Sequence, residues 1–269
     1  MTTDLPASFS LKREPFDKSV PDDLLWMDNG RQPVLDKLVQ AIQARRHALV
    51  VGEPGVGKTC VLRALRQQLS PTAYKVHYIA HVTLGRRDFY RQLCHALGIE
   101  SKATPAAMFS AIQRDCTMAN REHRLHVVLV LDEVQLMADS VLSNLHVLAN
   151  FEWDAEPLLS FVFVGLPEFQ ERLRLSLNRS LLTRIHTRVE LSPASPEMTS
   201  AYVRKRLEDA GATSEIFTRD GLTFLHEVTG GVLRSIDVIA DAAMRVAADA
   251  DEKLVDRDSV RSALAHTLI

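Results

Sequence analysis

Three short stretches of the chain, residues 48–51, 127–131 and 161–164, are apolar at every position. Unbroken apolar runs of this length suit strands that are covered on both faces, as in a parallel sheet. A fourth strand is expected at residues 75–80 and a last one near residues 185–191. Between them the period turns helical. Residues 33–46 open with Pro33 at a first-turn position and put Val34, Leu35, Leu38, Val39 and Ile42 on one face. Further helices are expected at residues 58–69, 87–97, 105–119 and about 140–150. Strands alternating with helices imply an α/β fold, a parallel sheet covered by helices on both faces, with its ligand at the carboxyl ends of the strands.

Both ends of the chain depart from this alternation. Residues 1–30 scatter Pro6, Pro15, Pro21 and Gly30 among isolated apolar positions, which reads as an irregular arm. Near the other end, SPASPEM (residues 192–198) places Pro193 and Pro196 close together and marks a boundary. Everything beyond it has helical spacing, at residues 196–210, 218–229, 232–248 and 256–268, the last behind the acidic cap Asp256. The expected organisation is an N-terminal arm and linker helix at 1–46, an α/β core at 47–191 and a small all-helical lid domain at 192–269.

With 269 residues, 46% of them hydrophobic, the chain can bury a large core. Its 32 Lys+Arg nearly cancel its 34 Asp+Glu, so no global field drives it onto nucleic acid or an anionic membrane, and any such contact is a local patch. Cys60, Cys94 and Cys116 are an odd set without a CxxC pair, which fits reduced thiols better than disulfides or zinc. The first residues lack the basic start and apolar stretch of a secretory signal, and no window approaches about 18 uninterrupted apolar residues. A cytoplasmic protein with no membrane segment is expected.

The candidate chemistry begins directly after the strand at 48–51. Gly52-Glu53-Pro54-Gly55-Val56-Gly57-Lys58-Thr59 is a full match to GxxxxGK[ST] between a strand and a helix, with Cys60 next on that helix. Glycines let the backbone fold tightly enough for successive amides to face phosphate oxygens, and the helix adds its positive N-terminal end. Lys58 is expected to reach the β and γ phosphates of ATP, and the Thr59 hydroxyl to ligate Mg²⁺. Chance would produce the pattern in about one chain in a hundred, and the strand–helix context makes chance rarer still. About 70 residues later, Asp132 ends the apolar strand of VVLVLDEVQ, where a carboxylate completing the Mg²⁺ shell belongs. Its neighbour Glu133 is placed to orient, or take a proton from, the attacking water.

FSLKREPF near the start, GEPGVGKT, VLVLDEVQ, a strand running into VGLPEFQERL, and GGVLRSIDVIADAA together resemble the ExeA-like AAA+ ATPases, from about Phe9 to the end. That family is itself similar to transposon and phage ATPases of the TniB, TnsC and MuB types. The resemblance implies a P-loop NTPase (AAA+) fold, ATP hydrolysis and a homo-oligomer. It implies that Arg234, in GGVLR, is a sensor-2 arginine reaching the γ-phosphate. It makes Arg184 an arginine finger for a neighbouring subunit's nucleotide, with Arg179 and Arg188 as competitors. Pro15 and Phe16 are expected to wall a slot for adenine. One position departs from the family. Leu166 stands where a polar sensor-1 residue is usual, and a leucine cannot hydrogen-bond water or phosphate, so slow or partner-dependent hydrolysis is expected.

The same resemblance suggests a DNA-binding regulator of transposition that works with a transposase. Arg86, Arg87 and Arg91, with Tyr90, would then face duplex DNA and neutralise phosphates without reading sequence. The alternatives are an ExeA-type ATPase for assembling a secretion system, or a nucleotide-dependent switch for a protein partner. The ExeA-type secretion proteins resemble longer chains with a membrane segment and a peptidoglycan-binding region, neither of which is expected here.

Overall fold

The computed structural model describes residues 4–80, 82–151 and 156–266. Five strands form: β1 (His47–Gly52), β2 (Tyr74–Ile79), β3 (His126–Leu131), β4 (Leu159–Gly165) and β5 (Ile185–Leu191). Every pairing is parallel and the order is β2-β3-β4-β1-β5. The order was not legible in the sequence; the expected strands and their direction were. The chain divides into two compact units, a sheet unit (Arg31–Glu53 and Val61–Leu191) and a helical unit (Met1–Gly30, Pro54–Cys60 and Ser192–Ile269).

In the sheet unit, β1, β3 and β4 are buried along their whole length, as their continuous apolar runs require. The expected helices are α2 (Arg31–Gln43), α3 (Lys58–Gln68), α4 (Arg86–Leu97), α5 (Pro105–Arg121) and α6 (Asp139–Leu148). Thr104 starts α5 by accepting from the Ala107 N–H, with Pro105 supplying a preset first turn. Leu129, Leu131, Phe161 and Phe163 share one core with Phe89, Leu93, Ile112 and Leu145 from the helices. Fully burying each such side chain contributes about 1.5–3 kcal/mol. Two short helices not expected from the sequence follow β4, namely α7 (Glu168–Arg174) and α8 (Arg179–Leu182).

Inside this apolar layer two histidines sit at the amino ends of strands. His47 Nδ1 accepts from the Phe161 N–H at 3.1 Å, and His126 Nε2 meets Ser160 Oγ at 2.8 Å. Burial pushes the His126 imidazole down to about 4, with the Arg45 cation nearby and electrostatic coupling to His47 adding to the effect.

The helical unit contains α9 (Pro196–Asp209), α10 (Arg219–Thr229), α11 (Leu233–Asp249) and α12 (Arg257–His266), close to the expected spans. The end expected for the last helix falls partly outside the described residues. Ser195 caps α9 on Met198 N–H and Thr218 caps α10 on Gly221 N–H.

The N-terminal residues correct the expectation of an irregular arm. They form α1 (Leu5–Phe9), and Leu5, Leu11 and Phe16 are buried in the same core as Leu207, Leu225 and Ile236. Apolar residues that look isolated along the chain converge in space, so no local period reveals them. Residues 31–43, expected to go with the arm, form α2 in the sheet unit.

One buried cation organises the arm. Arg206, 8% exposed, donates from Nε to Pro15 O at 2.8 Å, from Nη2 to Asp17 O at 2.6 Å and from Nη1 to Tyr202 Oη at 2.8 Å. The Tyr202 hydroxyl in turn donates to Asp237 at 2.7 Å, and Arg206 stands 3.6 Å from the same carboxylate. Desolvation raises Asp237 to about 6, against the pull of Arg206 and of the Tyr202 hydrogen bond.

Candidate functional site

The phosphate loop runs from the last residue of β1, Gly52, to the first residue of α3, Lys58. Gly52 and Glu53 belong with the sheet unit, and Pro54 to Cys60 with the helical unit. Gly55 and Gly57 have φ of 83° and 102°, in the left-handed region. A Cβ on Gly55 would also lie 2.9 Å from both Arg234 Cβ and Val232 Cγ1, so no side chain fits there. That close approach is tied down, because the Arg234 N–H donates to Gly55 O at 3.2 Å. Arg234 is the second residue of α11 and is exposed. Val56 is buried, Thr59 is exposed and the Cys60 thiol donates to Trp26 O at 3.5 Å. Amides in a glycine-kinked turn, a helix start, a lysine and a hydroxyl form a donor set that fits a triphosphate and Mg²⁺.

At the carboxyl end of β3 stands Asp132, 7% exposed. Its Oδ1 accepts from the Glu133 N–H at 2.9 Å, and its Oδ2 accepts from the Tyr78 hydroxyl at 2.5 Å. Burial and that hydrogen bond raise the Tyr78 phenol above its ordinary range, so it stays a protonated donor. Glu133 follows with φ 53°, an uncommon setting for a residue with a side chain, and its carboxylate is exposed. Gln135 Nε2 donates to Glu133 Oε2 at 2.6 Å, while Gln135 Oε1 accepts from the Leu166 N–H at 3.2 Å. Tyr78 and Gln135 were not singled out from the sequence. The only signal for Gln135 is its place two residues after the carboxylate pair, and for Tyr78 a position near the end of the neighbouring strand.

Arg184 lies just before β5, at the amino edge of the sheet, where Ile185 is in register with His47. Asp132 is at the opposite, carboxyl end of the sheet, on β3, three strands across from β5. Arg184 Nη1 donates to Ser180 O at 3.2 Å; Arg188 Nη2 donates to Leu182 O at 2.9 Å; Arg179 is exposed at the start of α8.

Arg86 and Arg87 are exposed at the start of α4, with Arg87 Nη2 donating to Ala103 O at 3.3 Å. Arg91 is paired with Asp88 at 3.0 Å. Tyr90 must be removed from the candidate DNA surface, since it is buried and packs edge-on against Phe89 and Phe109. Pro15 and Phe16 also correct the expectation: Phe16 packs edge-on to Phe217 at 6.4 Å inside the helical core, and both residues are buried. They do not form an open slot for adenine, because the apolar residues around Arg206 bury them first.

Among the described residues, no helix is long and apolar enough to cross a membrane, and no group of three or more His, Cys, Asp or Glu could hold a metal. Among the described residues Cys60, Cys94 and Cys116 form no disulfide.

A five-stranded parallel sheet with helices on both sides, a phosphate loop after β1 and a C-terminal helical region define the AAA+ P-loop NTPase fold. Residues 40–173 match the family model described as AAA domain. General secretion pathway protein A of Aeromonas hydrophila is 37% identical over 254 residues, covering 93% of this chain and 46% of that protein's length. The chain therefore spans under half of the curated relative it matches. Cdc6p from Pyrobaculum aerophilum aligns at TM-score 0.75 and 18% identity, over 95% of this chain and 71% of that one. The Aeropyrum pernix ORC1 protein in complex with DNA aligns at 0.68 and 19%, over 95% and 69%. At these identities the two structures speak to the fold alone.

Proposed function

We propose that this chain binds ATP with Mg²⁺, hydrolyses it, and uses the cycle to assemble on duplex DNA as a regulator of transposition, close in role to the TniB, TnsC and MuB types. The observation carrying the nucleotide part is the phosphate loop, with Gly55 shaped for close approach and bonded to the backbone of Arg234. In this reading Lys58 contacts the β and γ phosphates, Thr59 and Asp132 hold Mg²⁺, Glu133 orients the attacking water, and Arg234 reports the γ-phosphate to its helix. Arg184, at the far edge of the sheet from Asp132, serves the nucleotide of a neighbouring subunit, which makes the active form a homo-oligomer. Cysteines outside disulfides agree with a cytoplasmic location, where thiols stay reduced.

The DNA part rests on the exposed Arg86 and Arg87. A neighbour in fold, the ORC1 protein, was captured with DNA, which agrees with such a use of the scaffold. A second reading, an ATPase for secretion-system assembly, is favoured by the relative named General secretion pathway protein A. One experiment separates them: duplex binding across a salt series with ATP or ADP, for the wild type, Lys58→Ala, and Arg86→Ala with Arg87→Ala. The wild type should bind without sequence preference, more tightly with ATP, and weaken steeply with salt. The double arginine variant should flatten the salt slope by about one unit per lost phosphate contact. Lys58→Ala should lose both nucleotide affinity and the ATP effect. Unchanged nucleotide affinity in Lys58→Ala sinks the site; ATP hydrolysis with no duplex binding at low salt sinks the DNA role and leaves the secretion reading.

A further inference from the structure

The sequence leaves a gap at Leu166, where a polar side chain is usual, and the structure brings a polar side chain there from the turn after β3. Gln135 spans the ends of β3 and β4. Its amide oxygen is anchored on the Leu166 N–H, and its amide nitrogen is turned onto Glu133 Oε2. Three further features hold it there. Gly165 leaves the room, since a Cβ at that position would lie 2.7 Å from Gln135 Oε1 and 2.9 Å from Val134 Cγ2. Arg172 clamps the turn that carries Gln135, with Nη1 donating to Gln135 O at 3.1 Å, Nε donating to Asp139 at 3.1 Å, and Nη2 donating to Met137 O. The turn itself sets Glu133 at φ 53°, a conformation that persists only where surrounding contacts impose it.

We infer that Gln135 is the positioning residue for Glu133 and does the orienting work that Leu166 cannot. This rests on the proposed role of Glu133 in turnover. A carboxylate on an exposed, rotatable side chain samples many directions, and a donor fixed at one oxygen leaves the other oxygen aimed at a defined point. The anchor on a backbone N–H matters because the strand end does not move with the side chains. The reading also revises the expectation of intrinsically slow hydrolysis, which followed from Leu166 alone.

Two substitutions separate the anchor from the orienting donor. Gln135→Glu keeps an acceptor for the Leu166 N–H but removes the N–H that faces Glu133, while Gln135→Met has similar length and no polar group. Hydrogen exchange of the Leu166 amide, measured by NMR on nucleotide-free protein, should stay protected in Gln135→Glu and lose protection in Gln135→Met. Steady-state ATP hydrolysis should fall on the order of tenfold to a hundredfold in kcat for both, with KM and nucleotide affinity within about twofold of wild type. Wild-type kcat in both variants, with Glu133→Gln inactive, overturns the inference and leaves the role of Glu133 standing. A rise in kcat also overturns it, by showing that Gln135 restrains Glu133. Wild-type turnover in Glu133→Gln strikes the underlying reading instead.

Discussion

The sheet unit and the helical unit treat buried polar groups in opposite ways. In the sheet unit β1, β3 and β4 are apolar through their middle, and the carboxylates of Asp132 and Glu133 stand after the end of β3 with one or two hydrogen-bond donors each. In the helical unit a charged cluster lies inside the core, with Arg206 tied to Pro15 O, Asp17 O and Tyr202, and Asp237 beside it. The first arrangement keeps carboxylates at the rim of the sheet, with the Glu133 side chain exposed. The second spends them on joining two ends of the chain, because an arm of isolated apolar residues buries too little to fix itself. Polar groups at the strand ends should therefore be removable at small cost in stability, and those in the helical core should not.

The sharpest way to break that contrast is Arg206→Ala. It leaves Asp237 without its cation and two carbonyls without a donor, so stability should fall by about 3–5 kcal/mol. Trp26 packs at 5.0 Å on Tyr202 and reports on this unit, so urea unfolding followed by tryptophan fluorescence in a Trp153→Phe background reads the effect. A loss under about 1 kcal/mol would show that the arm docks by apolar contact alone.

The two units should also answer pH in opposite directions. His126 is held neutral in the fold, its pKa lowered from 6.5 to about 4. Its contribution is present above pH 6.5 and is lost as pH falls from there through about 4. Asp237 is raised from 3.8 to about 6, so its contribution is present below pH 3.8 and is lost as pH rises through about 6. Each amounts to about 3 kcal/mol. The Trp26 signal should therefore show less stability at pH 7 than at pH 4 from this group, and Asp237→Asn should remove that component. An NMR titration should find His126 neutral down to about pH 4, and a midpoint near 6.5 would overturn its assignment as a buried neutral ring.

The same division decides what could be read from the sequence. The strands at 48–51, 127–131 and 161–164 were legible because burial on both faces writes an unbroken apolar run, and the places of Lys58 at the start of α3 and of Asp132 after β3 follow from those strands. The arm was not, since Leu5, Leu11 and Phe16 follow no local period and meet their partners some two hundred residues away. Gln135 escaped for a related reason. It acts at the end of β4, through Leu166, which is 31 residues further along the chain. Pairings between strand ends leave no trace in spacing.

Tyr78→Phe gives the smallest effect and sharpens the contrast most directly. Tyr78 is 53% exposed, yet its hydroxyl donates to Asp132 Oδ2 at 2.5 Å. Asp132 keeps the Glu133 N–H on its other oxygen, so no carboxylate is left bare and stability should drop by about 1 kcal/mol or less. The side chain that is freed to turn is the proposed Mg²⁺ ligand, and outer partners of that kind set ligand orientation. Titration of Mg²⁺ into the protein with a fluorescent ATP analogue should therefore show the half-saturating concentration rising severalfold, up to about tenfold. Unchanged Mg²⁺ dependence would reduce Tyr78 to a neighbour of Asp132. A stability loss as large as that of Arg206→Ala would dissolve the distinction between the two units, because it would mean that strand-end polar contacts in the sheet unit hold the fold as firmly as the buried cluster does.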